Sequence, residues 1–292
     1  MKPTSRLGVF ILVAPAVLIY CFAVILPFIG TIALSFLRWN GFGSPTWAGL
    51  GNYSRALSDS IFRSTFSHVA IYIVATLILE VLLGLALAGF ISSLKHSAFY
   101  RIALFVPVML PMVVIAVLWR AIFNSDYGIL NAILASLGLT KFQHIWLGDT
   151  KTALFAICFV SGWVFSGFYM AIFTAALNRL PTDVIESARL DGSGEMSIFT
   201  KIKIPMIRQV TSVAILICIT GGLQGFDLFY VLTDGGPYHT TEVPTTFMVK
   251  SVFRDGEFGY GSALSIIVSV AGLAMAYLFN LWQKRTRVDV EY

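Results

Sequence analysis

Read for polarity alone, the chain is a series of long apolar runs separated by shorter polar ones. Six runs stand out, at about 8–30, 69–91, 102–122, 153–175, 210–229 and 262–283. Each is close to the roughly 20 residues a helix needs to cross a hydrocarbon layer about 30 Å thick. The segments between them hold the charges, Gly, Pro and Asn, and the two longest extend from Arg38 to His68 and from Phe123 to Thr152. In the second of these, Ile129, Leu130, Ile133, Leu134 and Leu137 recur at helical spacing and Gly138 follows. That spacing predicts a short amphipathic helix closed by a glycine C-cap. The pattern as a whole predicts an all-α integral membrane protein, one transmembrane domain over 1–292 with six crossing helices.

The first run follows Lys2 and Arg6, as a secretory signal core would, but it extends from Leu7 to about Leu37. Signal cores span roughly 7–15 residues, so this one reads as a retained span. Composition agrees: 57% of the 292 residues are hydrophobic and 12% charged, against about 25% charged in a soluble domain. Cys21, Cys158 and Cys218 lie inside apolar runs, and no CxxC or Cys/His cluster exists. Neither a disulfide framework nor a zinc site is therefore expected. No internal repeat is visible, which gives an inverted-repeat carrier no support.

Charge sets the expected orientation. With both ends inside, Lys2, Arg6, Lys95, Arg101, Lys284, Arg285 and Arg287 fall on the inner side. So do Arg179, Arg189, Lys201, Lys203 and Arg208. These are the shorter segments, so basic residues are densest there, and the rule that cationic loops stay inside predicts cytoplasmic termini. The net charge of +5 is then an orientation signal rather than a nucleic-acid footprint. Trp39, Trp119 and Trp282 flank the runs and read as membrane-level anchors.

The polar segment between the fourth and fifth runs, 178–206, is unlike the others. Pro181 with Thr182 or Asp183 suits a helix start, and an acid in the first turn favours the helix dipole. Gly192 is able to take the positive φ that ends such a helix. Ser193 offers a cap for a second helix with Glu195 in its first turn, and Pro205 interrupts the backbone ladder ahead of the fifth run. Glu186, Ala188, Asp191, Gly192, Phe199, Ile202 and Pro205 have the spacing E-A-A-x-x-D-G-A followed by F-x-x-I-x-x-P, with Ser187 and Ser193 replacing two alanines.

This loop resembles the signature loop of ATP-binding-cassette importer permeases. The resemblance implies a type I permease fold in a bacterial inner membrane, with the loop as a cytoplasmic coupling helix seated in a groove of a separate ATPase. Glu186 would then be the charged contact. Ser187 and Ala188 would allow close approach, Gly192 the turn, and Asp191 either a brace for the turn or a second contact. Phe199 belongs to the same coupling motif. The resemblance further implies a second homologous permease, two copies of the ATPase and an extracytoplasmic solute-binding protein. The chain itself has no G-x-x-x-x-G-K-[ST] loop to cradle phosphates. ATP and Mg would be used by the partner, and this subunit would be no enzyme and bind no cofactor.

Phe226–Pro237 and Phe258–Ser265 look like the carbohydrate-uptake branch of that family, the maltose-type subunits, which implies a sugar or sugar-like solute such as a glycerol phosphate. For its path the residues offer three candidates. Gly221 and Gly225 flank Gln224 in the fifth run. The glycines would loosen the helix or admit a close neighbour, and Gln224 would meet sugar hydroxyls or bond across a crossing. Trp163, Ser166 and Tyr169, three apart in the fourth run, form a polar-aromatic stripe, for sugar contact or for helix packing. Glu80, deep in the second run, would line the path or bond to a neighbouring helix, since an unpaired carboxyl there is expensive.

Two rival functions remain from the residues alone: an ATP-driven permease for an amino acid, polyamine or phosphate, and a proton-coupled carrier that would depend on Glu80. A membrane enzyme has no support, because His68, His96, His144 and His239 lie in different segments.

Overall fold

The computed structural model describes residues 6–92, 94 and 97–285. Lys2, Lys95, His96 and Arg287 lie outside the described residues. In chain order the elements are α1 (Val9–Ser35), the short strands β1 (Leu37–Arg38) and β2 (Thr46–Trp47), α2 (Gly51–Ser58) and α3 (Ser60–Ile91). There follow α4 (Ala98–Met109), α5 (Met112–Ile122), α6 (Ile129–Ser136), α7 (Ala153–Leu177) and α8 (Thr182–Leu190). The chain continues through α9 (Glu195–Met206), α10 (Arg208–Leu223), α11 (Asp227–Leu232), α12 (Pro244–Phe253) and α13 (Phe258–Gln283).

Among these, α1, α3, α7 and α13 are each long and apolar enough to cross a membrane unbroken. The other two expected spans are bent pairs: α4 meets α5 at 98° and α9 meets α10 at 73°. Among the described residues there are therefore four to six candidate spans, according to whether each bent pair crosses. The cause of the first bend is local. Leu110 precedes Pro111 and takes an extended backbone, as a residue before proline is driven to do, and Pro111 then starts α5 from its N-cap. The run at 102–122 is thus broken into two helices. The fifth run also differs: α10 stops at Leu223 with Gln224 as its C-cap, and 227–232 is a separate helix.

The chain divides into two compact units. The first comprises Met1–Arg63 and Met248–Ala271. Its β1 and β2 pair antiparallel, Leu37 with Trp47 and Arg38 with Thr46, a small departure from an all-α chain. The buried Asn52 amide donates to the carbonyls of Ser35 and Leu37 at 2.9 and 2.8 Å, which ties α2 to the start of that ladder. Arg55 pairs with Glu257 at 2.8 Å and its guanidinium lies 4.0 Å from the Tyr260 ring centre. These groups help line an open polar cleft of about 600 Å³. None of the most apolar stretch of α1 is buried, so its side chains are left for lipid or another subunit.

The second unit comprises Ser64–Phe247 and Gly272–Tyr292, and its centre is α7, the most buried of the spans. Ile157, Val160 and Val164 of α7 join Val69, Tyr72 and Ile73 of α3 in one apolar cluster. Tyr169, Met170 and Phe173 join Val81, Leu85 and Ala88 in another. α3 and α7 touch at Gly84, where a Cβ would stand 2.7 Å from that of Tyr169 and 3.0 Å from the carbonyl of Ser166. Close helix approach of this kind supplies the dispersion that binds spans together in lipid.

Candidate functional site

The most sharply built feature outside the core is the turn between α8 and α9. α8 starts after Pro181, with Asp183 in its first turn. It ends as the sequence predicts: Gly192 has φ +82°, the Gly192 N–H reaches the Arg189 carbonyl and the Ser193 N–H reaches the Ala188 carbonyl, both at 3.0 Å. That pair of bonds is the Schellman closure, which satisfies carbonyls the helix would otherwise leave bare. The same device closes α6, where Gly138 and Leu139 bond back to Ala135 and Leu134.

Two details differ from expectation. Ser193 does not cap α9; Gly194 holds that position without a side-chain bond. Glu195 lies in the first turn of α9, as expected, and forms a 2.7 Å ion pair with Arg189 across the turn, and this contact raises the Arg189 pKa above its ordinary value. The carboxylate of Asp191 is exposed and takes no part in the bonds of the turn, which are made by backbone.

The knob so formed presents an uneven surface. Glu186 and Ser187 are exposed while Ala188 faces inward, and Ser187 Oγ donates to the Asp183 carbonyl at 2.8 Å. Leu190 is 89% exposed and Met196 75%, two bare apolar side chains on either side of the turn. Sequence reasoning missed both, because the motif spacing marks neither. Phe199 connects the knob to the core: a Cβ on Gly89 of α3 would stand 2.6 Å from its ring. Pro205 falls within α9, and the bend comes later, at Ile207.

Glu80 is buried in a π-helical turn over Leu77–Leu82, the irregular kind of turn that recurs at functional positions. Ser161 Oγ donates to its Oε1 at 2.7 Å, which leaves the Tyr72 hydroxyl to donate to Ser161 at 2.7 Å. The Cys218 thiol lies 3.8 Å from Oε2 and 3.5 Å from Thr76 Oγ1. Glu80 thus joins α3 to α7 and α10. The geometry shows the bond to neighbouring helices.

Trp163, Ser166 and Tyr169 do not form one stripe. Ser166 and Tyr169 are buried at the Gly84 crossing, whereas Trp163 is 41% exposed and packs edge-on to Trp119 with ring centres 5.5 Å apart. The reason is arithmetic: six residues at about 100° each place Trp163 and Tyr169 some 120° apart. Gly221 meets no neighbour, and it is Gly222 that lies against Ile73. Gln224 is exposed at the end of α10 and Gly225 follows it outside the helix. Trp39, expected as an anchor, lines the polar cleft with its indole N–H donating to the Gly43 carbonyl at 3.1 Å.

Comparisons with known proteins converge. The chain is 33% identical to the probable ABC transporter permease protein YurN of Bacillus subtilis, over 95% of this chain and 96% of that one. It is 32% identical to the trehalose/maltose transport system permease protein MalF of Thermococcus litoralis, covering 94% and 92% of the two. Its fold matches a chain in the crystal structure of a bacterial ABC transporter involved in the import of alginate, with TM-score 0.83 at 20% identity over 95% of each. Residues 80–288, which include Glu80, the knob and Gln224, match the family described as binding-protein-dependent transport system inner membrane component. With most of its length matched and its spans and knob in place, this chain belongs to the family of inner-membrane components of binding-protein-dependent transport systems.

Proposed function

We propose that the chain forms half of the translocation pathway for a sugar or sugar-like solute in an ATP-driven importer. A second homologous permease supplies the other half. Two copies of a separate ATPase subunit hydrolyse ATP with Mg on the cytoplasmic side, and an extracytoplasmic binding protein delivers the solute. In this reading each bent pair crosses once, giving six spans with both termini cytoplasmic. The carbohydrate class is supported by the relative named for trehalose and maltose.

The observation that carries the reading is the knob. A closed turn with an exposed carboxylate, Glu186, on the helix before it and bare Leu190 and Met196 on either side of it is a surface made for a partner. Glu186, Ser187 and Asp191 would meet the ATPase, Ala188 and Gly192 would hold the turn, and Phe199 would transmit its displacement to α3. ATPase closure then biases the bundle between inward-open and outward-open packings. Gly221 in the last turn of α10, with Gln224 and Gly225 just after it, is offered to the solute, with Ser166 and Tyr169 holding the wall behind Trp163. On the outer side, the Arg38–Trp39–Arg55–Tyr260 cleft has the residue types that dominate protein contacts.

Glu186→Lys tests this. The protein should insert normally, co-purify with at least tenfold less ATPase and lose transport. Wild-type ATPase recovery with intact transport would refute the coupling role. Stimulation of the purified complex's ATPase by a binding protein loaded with sugar, and not by one loaded with an amino acid or polyamine, would fix the solute class.

A further inference from the structure

A second cavity is lined neither by the knob nor by Glu80. It is a groove of about 500 Å³ between the end of α5, the helix α6 and the first turns of α7. Its walls are Trp119, Phe123, Ile133, Phe155 and Phe159, and Lys151 stands at its edge. Phe155 and Phe159 are both more than half exposed, so the groove is open along one side.

Depth decides what could fill it. Lys151 precedes the start of α7 by two residues, and Phe159 lies six residues into it. At about 1.5 Å per residue the floor is roughly 9 Å below the mouth. Since α7 spans the membrane, the mouth is at headgroup level and the floor in hydrocarbon. The groove offers water few partners, because among the lining side chains only Lys151 and Thr152 are polar apart from the two indoles. The Thr152 hydroxyl already donates to the Trp146 carbonyl at 2.8 Å. Among the described residues no carboxylate pairs with the Lys151 ammonium. An apolar channel entered beside an unpaired cation matches one molecule that membranes supply at this depth, a phospholipid.

We propose that this groove is a phospholipid site. It holds one acyl chain along Phe155 and Phe159, with the headgroup phosphate against Lys151, and it prefers anionic lipid. The occupant braces α6 against α7.

The test uses the intact complex, extracted in mild detergent and exposed to vesicles of phosphatidylcholine with or without phosphatidylglycerol. Native mass spectrometry should show phospholipid retained by the wild type, with phosphatidylglycerol enriched at least threefold over its share in the vesicle. Lys151→Glu should abolish that enrichment. Ile133→Trp, which fills the groove from α6, should reduce retained lipid by at least one molecule per chain. Both positions are at the surface, and thermal unfolding of each variant checks that it remains folded. Equal lipid retention by all three proteins would overturn the proposal. So would wild-type protein that carries no lipid, or a neighbouring protein segment found cross-linked to Phe155. Because lipid is counted rather than transport, the result stands apart from whether the knob couples to an ATPase.

Discussion

The crossing around Glu80 and the knob around Glu186 each carry a carboxylate on a helix, and they treat their polar and apolar groups in opposite ways. At the crossing every group is spoken for: Glu80 by Ser161, Ser161 by Tyr72, Gly84 by the backbone of α7. At the knob the Schellman turn closes the end of α8, while Glu186, Leu190 and Met196 are left to the outside. A self-satisfied cluster spends its interactions on the fold of this chain. A cluster with a closed turn and bare side chains keeps them for another molecule. Substitutions should therefore separate the two sites by what they damage, stability at the first and association at the second.

The largest loss is expected at Gly84. Gly84→Val places side-chain atoms where the Tyr169 Cβ and the Ser166 carbonyl already stand, and neither is a flexible chain end. Overpacking commonly costs about 1–3 kcal/mol and more where backbone must move. Purified protein should unfold at a clearly lower temperature in detergent, or fail to accumulate. Normal accumulation with an unchanged midpoint would mean that α3 and α7 are not in contact there.

Next is Glu80→Ala, which strands the Ser161 hydroxyl and opens space in the π-turn. A buried group left unpaired costs roughly 1–3 kcal/mol, and hydrogen bonds between spans are worth about 0.6–2 kcal/mol. A loss of about 2 kcal/mol is expected from denaturation of the purified protein. Glu80→Gln keeps an acceptor for Ser161 and should lose less than about 1 kcal/mol with transport intact. A proton-coupled carrier predicts equally stable protein but abolished transport, so this single variant separates the two mechanisms.

The sequence makes some of this legible and not the rest, for reasons visible in particular residues. Hydropathy locates the runs because lipid requires them, and Gly192 announces its turn because only glycine takes φ +82° without strain. The bend after Met109 is hidden because Leu110 is as apolar as its neighbours and apolarity carries no direction. Which of Gly221 and Gly222 meets a partner depends on the phase at which α10 lands on Ile73, and a sequence does not contain that phase. The reach of α1 to Ser35 and the end of α10 at Leu223 depend likewise on contacts made after the helices form. Leu190 was illegible for another reason: an exposed leucine and a buried one are the same letter.

Leu190→Ser is the smallest expected effect on stability and the sharpest test of the contrast. A side chain 89% exposed in this chain has almost no burial to lose, and surface changes of this kind stay within about 0.5 kcal/mol. The unfolding midpoint should not move measurably. If the knob docks in a groove, the same leucine is buried in the complex, where removing a large apolar side chain costs about 1.5–3 kcal/mol. That corresponds to roughly a tenfold to hundredfold weaker association with the ATPase, read by titrating ATPase subunit onto the purified permease. Met196→Ser should behave alike, and the double variant should lose more than either. An unchanged affinity together with an unchanged midpoint would leave Leu190 idle in both states, and the knob would then lose its claim to be a binding surface.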